Sequence, residues 1–238
     1  MKIIGFSTGA LARGDFRHAL RIIEGKGLSA IELSALRQDE LRPLVEQIET
    51  LDLSSFKYVS LHAPSSMGRD FEQRALQLLE QVAERGWPII VHPDAMYETR
   101  EWARLGDRLY LENMDKRKPV GQTADQLTGF FEALPEASLC FDIGHAKQVD
   151  PTMSEASAIL SRFAERIRQL HVSEVNSQST HDRLSFESVL AFHRVSHLLP
   201  ADVPVILESR VEEAEIKEEI NRVCEALSPE SRLALAGD

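Results

Sequence analysis

Only two cysteines occur in the 238 residues, Cys140 and Cys224, and they lie far apart in the chain. Such a pair offers no disulfide framework and fits a reducing cytoplasm. No stretch reaches the roughly 18 apolar residues that a membrane span needs. Met1 runs straight into an apolar segment, without the basic lead, hydrophobic core and cleavage site of a signal peptide. The expectation is a cytoplasmic protein with no membrane partner. No low-complexity linker, composition break or clear repeat divides the chain, so residues 1–238 are expected to form one domain. An excess of positive charge is also missing. The formal net charge is −11, which makes the chain a poor partner for nucleic acid, although a local basic groove is compatible with it.

What is present is a rhythm of short apolar runs alternating with amphipathic stretches. Lys2–Ser7 reads as a first strand, and residues 15–24 carry Phe16, Ala19, Leu20, Ile22 and Ile23 at helical spacing. Further strands are expected at Ala30–Leu33, Lys57–Leu61, Pro88–Val91, Arg108–Leu111, Ser138–Asp142, Ile167–Leu170 and Val203–Leu207. Helices are expected over 41–51 (with Pro43 near the start), 70–85, 95–104, 123–134, 154–166, 186–199 and 212–227, with 173–181 as a polar loop. Eight β/α units over this length favour a closed, parallel (β/α)8 TIM barrel, an α/β fold whose active site sits at the C-terminal ends of its strands. A doubly wound open sheet is the alternative. No glycine-rich phosphate loop follows the first strand to support it.

The strand ends carry the chemistry. From the third strand to the eighth they deliver His62, His92, Glu112, Asp142, His171 and Glu208, with His145 three residues past Asp142 and His181 in the loop after the seventh strand. In a barrel these residues converge on one mouth. So many imidazoles and carboxylates in one crevice need compensating charge, and a divalent cation supplies it. Mixed histidine and carboxylate donors suit Zn, Mn, Fe or Co better than Ca or Mg alone. The donors exceed the needs of one ion, so one or two ions are expected, drawn from Mn, Zn, Mg, Co or Fe. Taken singly, each residue has a plainer reading. A strand-end histidine is often a hydrogen-bonded structural residue, Glu112 or Glu208 half of a salt bridge, and Asp142 a helix cap. Glu32 reads equally as a buried structural carboxylate. Arg183 and Arg210 follow the seventh and eighth strands, where barrels often grip phosphate, and read as such grips or, somewhat better, as solvated loop charges; Lys147 shares the ambiguity. Cys140 and Trp87 read as packing residues; Trp102 packs or overhangs the mouth.

The segments Ser60–Leu61–His62–Ala63–Pro64, Ile90–Val91–His92–Pro93, Leu111–Glu112–Asn113, Phe141–Asp142–Ile143–Gly144–His145, Leu170–His171–Val172 and Leu207–Glu208 together resemble the xylose isomerase-like TIM barrels. That superfamily includes sugar isomerases and epimerases and endonuclease IV-type apurinic endonucleases (AP endonuclease family 2). The resemblance covers nearly the whole chain. It implies, from the epimerases, one divalent ion held by Glu112, Asp142, His171 and Glu208. The two glutamates move the proton while His145 and an arginine, here Arg183, hold substrate oxygens. From the endonucleases it implies His62 and His92 joining Glu112 at one zinc, Glu112 bridging to a second, and His145 with an Asp-x-His pair at a third. The chain departs from that last pair. Around it stands Ser179–Thr180–His181–Asp182–Arg183, so either His181 or Asp182 finds its companion replaced, and one or two ions are favoured over three.

The leading functional expectation is a divalent-metal-dependent isomerase or epimerase of a small sugar or sugar derivative, working through an enediolate. One alternative is an endonuclease IV-like phosphodiesterase or hydrolase. Another is an iron-dependent oxidase or a non-catalytic metal-binding barrel. Substrate identity, native metal and oligomeric state are not written in the sequence.

Overall fold

Inward and outward positions alternate along eight short parallel strands, and that alternation separates the site from the core. The structure, a computed structural model, describes residues 2–228. The expected domain limits at 1 and 238 lie outside them. The barrel strands are β1 (Ile4–Ser7), β2 (Ala30–Ser34), β3 (Tyr58–His62), β4 (Ile89–Val91), β5 (Leu109–Glu112), β6 (Ser138–Asp142) and β7 (Ile167–Val172). A small antiparallel hairpin, β8 (Glu174–Val175) with β9 (His181–Asp182), precedes the last barrel strand, β10 (Val205–Leu207). The barrel closes in the order β1-β10-β7-β6-β5-β4-β3-β2.

Outward-facing Phe6, Ile31, Leu33, Leu61, Val91, Leu111, Phe141 and Leu207 are fully buried in one shell between strands and helices. Burying each such side chain contributes roughly 1.5–3 kcal/mol, so this shell is the main stabilising layer. Inside the barrel the apolar content shrinks to a separate cluster of Ile90, Tyr110 and Cys140. The other inward positions, such as Glu32, Ser60, His62, Glu112, Asp142, Gln169 and His171, are polar and buried.

The helical layer comprises α1 (Thr8–Ala12), α2 (Phe16–Ile23), α3 (Gln38–Gln47), α4 (Arg69–Ala83), α5 (Ala124–Ala133), α6 (Ile143–Val149), α7 (Ser154–Arg162), α8 (Phe186–Val195) and α9 (Ile216–Ala226). Several begin where a side-chain oxygen takes an otherwise unpaired N–H: Asp15 from His18, Thr123 from Gln126, and Ser185 from Ser188. Two glycines are required by close approach. A Cβ on Gly5 would meet the Ala30 carbonyl oxygen at 2.0 Å, and one on Gly144 would meet the Ser173 carbonyl oxygen at 2.4 Å.

Several local expectations differ from the structure. Helix α3 starts at Gln38, so Pro43 lies inside it rather than near its start. Residues Thr99–Arg108 form 3-10 turns in place of the expected helix over 95–104. The segment expected as a loop over 173–181 contributes to the β8–β9 hairpin. Trp102 does not overhang the mouth; it is fully buried and donates to Glu72 Oε1 at 2.9 Å. An indole needs such a partner when buried, and Glu72 on α4 provides it.

Candidate metal centre

Helix α6 opens directly at the end of β6, where a glycine turn was expected. Asp142 is its N-cap, and Asp142 Oδ1 accepts from the His145 N–H at 2.6 Å. The plainer sequence reading of Asp142 is therefore true of one of its oxygens. The other, Oδ2, is buried and has no hydrogen-bond partner among the described residues. A buried carboxylate oxygen left bare is costly, and a cation is the partner that suits it. Asn113 holds the Asp142 backbone on both sides, donating to its carbonyl at 2.8 Å and accepting from its N–H at 2.8 Å.

Glu112, at the end of β5, stands at the middle of the cluster. Its Oε2 lies 3.0 Å from His62 Nε2 and 3.1 Å from His92 Nε2. Its Oε1 lies 3.1 Å from His171 Nδ1 and 3.4 Å from His145 Nδ1. Glu208, just past β10, approaches His181 Nδ1 at 3.3 Å and His171 Nδ1 at 3.6 Å. Within each of four overlapping sets, one donor atom per residue lies within 4.8 Å of the others: Glu112–Asp142–His171–Glu208, His62–His92–Glu112, Asp142–His145–His181, and His62–His171–Glu208. Glu112 and Asp142 each belong to two sets drawn from different strands, an arrangement open to bridging. The donor chemistry fits a divalent transition metal.

The charges in this crevice act on one another strongly. Burial opposes ionisation of Glu112, but His171, His92 and His62 around it hold its carboxyl well below the usual range. Burial, reinforced by Glu112 and Asp142, pushes Glu208 up to about 8 despite His171. Burial also raises Asp142, with Glu112 adding to it. Among the imidazoles, burial is outweighed by Glu112 at His62, which rises to about 9. At His171 burial is outweighed by Glu32, Glu208 and Glu112, and at His145 by Asp142 and Glu112. Burial wins at His92, and at His181, where His145 adds to it and the ring falls to about 3. Protons thus hold part of the positive charge that the carboxylates demand.

All eight candidate donors, His62, His92, Glu112, Asp142, His145, His171, His181 and Glu208, come together at the C-terminal end of the barrel. The ambiguity between His181 and Asp182 resolves in position. His181 joins the cluster, while Asp182 is exposed and accepts from Asn176 Nδ2 at 2.7 Å. Ser179 is turned to other partners, donating to Asp115 Oδ1 and accepting from Gln148 Nε2.

The expected substrate arginine, Arg183, is a correction. It faces α9, paired with Glu215, with Glu218 at 3.1 Å and with Glu219 at 3.8 Å. The cations that line the mouth, a cavity of about 150 Å³, are Arg117, Lys118 and Arg210. Lys118 bonds Asp94 and the Ser65 carbonyl, and Arg117 the Ser179 carbonyl. Arg210 is exposed, and its backbone N–H donates to the His181 carbonyl at 3.4 Å. The run Lys116–Arg117–Lys118 shortly after Glu112 was a visible signal for this rim. Gln169, two positions before His171 on the same inward face, was the signal for a polar layer beneath the donors.

No family profile and no curated sequence matches this chain. Solved structures do match in shape. A xylose isomerase domain protein from Alicyclobacillus acidocaldarius aligns with a TM-score of 0.68 at 14% identity, over 95% of this chain and 98% of that one. The apo form of 3-keto-D-glucoside 4-epimerase from E. coli aligns at 0.63 and 13%, over 95% and 99%. Endonuclease IV from Thermus thermophilus aligns at 0.62 and 18%, over 93% and 99%. These neighbours differ in the reactions they are named for and agree in architecture. The chain shares their (β/α)8 barrel fold.

Proposed function

We propose that this protein is a divalent-metal-dependent isomerase or epimerase of a small sugar or sugar derivative. The observation that carries this reading is the set Glu112, Asp142, His171 and Glu208, brought from four strands to one small volume beneath an open mouth. These four residues would hold the cation. A cation there would supply Lewis-acid polarisation of a substrate carbonyl and its neighbouring hydroxyl. One glutamate of the pair Glu112 and Glu208 takes a proton from the carbon beside the carbonyl, and the other returns it. His145, whose Nδ1 is held by the Asn113 carbonyl at 2.9 Å, would orient a substrate oxygen. Arg117 and Arg210 at the rim take the orienting role first expected of Arg183.

The set His62–His92–Glu112 favours a second reading, a phosphodiesterase with paired metals activating water. Against it stand the net charge of −11 and the engagement of Ser179 with Asp115 and Gln148, which leaves the third metal position short of a ligand. The deciding experiment is elemental analysis of the purified protein, with Asp142→Ala as control, followed by a sugar panel. Exchangeable Mn or Mg and turnover of a sugar support the isomerase. Two tightly held zinc ions and cleavage of a phosphodiester overturn it in favour of the hydrolase. No metal, in chelator-free preparation, overturns both.

A further inference from the structure

Among the described residues, Glu32, Glu72, Asp115 and Glu219 are buried carboxylates outside the donor sets, and of these Glu32 hydrogen-bonds a candidate donor. Glu32, inward-facing on β2, is fully buried beneath the cluster and belongs to none of the four sets. Its Oε2 collects three neighbours: Gln169 Nε2 at 2.7 Å, His171 Nε2 at 3.0 Å and Ser60 Oγ at 3.1 Å. Its Oε1 has no hydrogen-bond partner among the described residues.

The direction of these bonds can be worked out. The Tyr58 hydroxyl donates to Gln169 Oε1 at 2.6 Å, so the Gln169 amide nitrogen faces Glu32. Gln169 Nε2 also lies 2.8 Å from His171 Nε2. A lone pair on His171 Nε2 would face the Glu32 carboxylate at 3.0 Å and be repelled by it. Nε2 therefore carries a hydrogen and donates to Glu32. The same repulsion puts a hydrogen on Nδ1 in the metal-free ring, 3.1 Å from Glu112 Oε1; of the two nitrogens it is Nδ1, facing Glu112 and Glu208 of the same donor set, whose hydrogen a cation would displace. The other histidines are held differently. His62 and His145 are backed by the neutral carbonyls of Ala63 and Asn113, and His181 by the Ser173 hydroxyl. His92 Nδ1 has no partner among the described residues.

We propose that Glu32 is a positioning residue that presents His171 Nδ1 to the cation, making Glu112–Asp142–His171–Glu208 the first cation site to fill. The inference rests on the metal reading above and deepens it. A carboxylate behind a ligating imidazole fixes its ring and raises its donor strength, and loss of such a partner weakens metal binding about 10–100-fold. Glu32 also pairs with His171 in the metal-free chain, where burial opposes its ionisation but His171 holds its carboxyl below the usual range, so its loss is expected to lower metal-free stability as well. What separates positioning from a general structural role is the ring itself: Glu32 keeps the hydrogen on Nε2, so the cation is met through Nδ1.

The test is chelator-competition titration of Mn²⁺ and of Zn²⁺ into the full chain, wild type against Glu32→Gln, with 15N NMR of the zinc-loaded wild type. The expected result is first-cation affinity weakened about 10–100-fold, with the NMR showing His171 as the Nε2–H tautomer. Unchanged affinity overturns the proposal, as does a wild-type His171 ring that meets zinc through Nε2. A wild-type chain that takes up neither ion overturns the metal reading itself, which is a different result. Should Glu32→Gln not fold, Gln169→Met decides. Gln169 touches Glu32 and His171 but no carboxylate of the cluster, so weaker first-cation binding in the folded variant supports the proposal and unchanged binding overturns it.

Discussion

The side-chain amide of Asn113 pairs with the backbone of Asp142 on both its N–H and its carbonyl, at 2.8 Å each. This bidentate clamp ties the end of β5 to the end of β6, the two strands that supply Glu112 and Asp142. Asn113→Ala would leave two buried backbone groups unpaired, at a cost on the order of 3 kcal/mol. Denaturant unfolding measures the cost directly. The same variant is expected to retain less metal, because Asp142 loses its fixed height above the sheet. A change under about 0.5 kcal/mol, the size of an ordinary surface substitution, would show that the clamp is dispensable.

Stability of the metal-free protein is expected to fall as pH rises from about 6.5 to about 9. His62 is raised to about 9 in the folded chain from 6.5, so the stability it contributes is complete below 6.5 and disappears through pH 9. Glu208 is raised to about 8 from 4.5, so keeping it buried becomes costlier over the range up to pH 8. Both groups act in the same direction. Bound cation replaces those protons, so the metal-loaded protein is expected to lose far less over the same range. Thermal scans at about pH 6.5 and about pH 9, with and without chelator, check this. Equal pH dependence in the two states would contradict it.

Glu208→Gln is expected to reduce sugar turnover by about a hundredfold to ten-thousandfold, the usual range for loss of a positioned acid or base. The fold is expected to survive, since the amide is close in shape and removes a carboxylate that burial already disfavours. Turnover near wild type would assign the proton transfer elsewhere.

Arg183 and Arg210 are expected to separate cleanly. Arg183→Ala leaves the fully buried Glu219 without its guanidinium neighbour, costing about 2 kcal/mol of stability with little change in KM. Arg210→Ala is expected to leave Tm within about 1 °C and to raise KM, because the side chain is exposed at the mouth. Unfolding curves and steady-state kinetics on the two variants check both halves. The reverse pattern would return Arg183 to the site.

Much of this protein was legible in the sequence because barrel geometry converts a one-dimensional order into a site. Short apolar runs alternating with helices dictated the eight parallel strands, and residues at their C-terminal ends must share one mouth. His62, His92, Glu112, Asp142, His171 and Glu208 could be placed by that rule alone. Tertiary structure decided what pattern cannot carry. Whether His181 or Asp182 turns inward depends on a two-residue hairpin whose register no periodicity fixes. The direction of Arg183 depends on three glutamates on or beside a helix that follows some 30 residues later in the chain. The layer of Tyr58, Ser60, Gln169 and Glu32 beneath the donors comes from three strands whose inward faces meet only when the barrel closes. The sequence determines which residue types reach the mouth, because strand ends are local; which of their atoms face one another is long-range, and only closure of the barrel sets it.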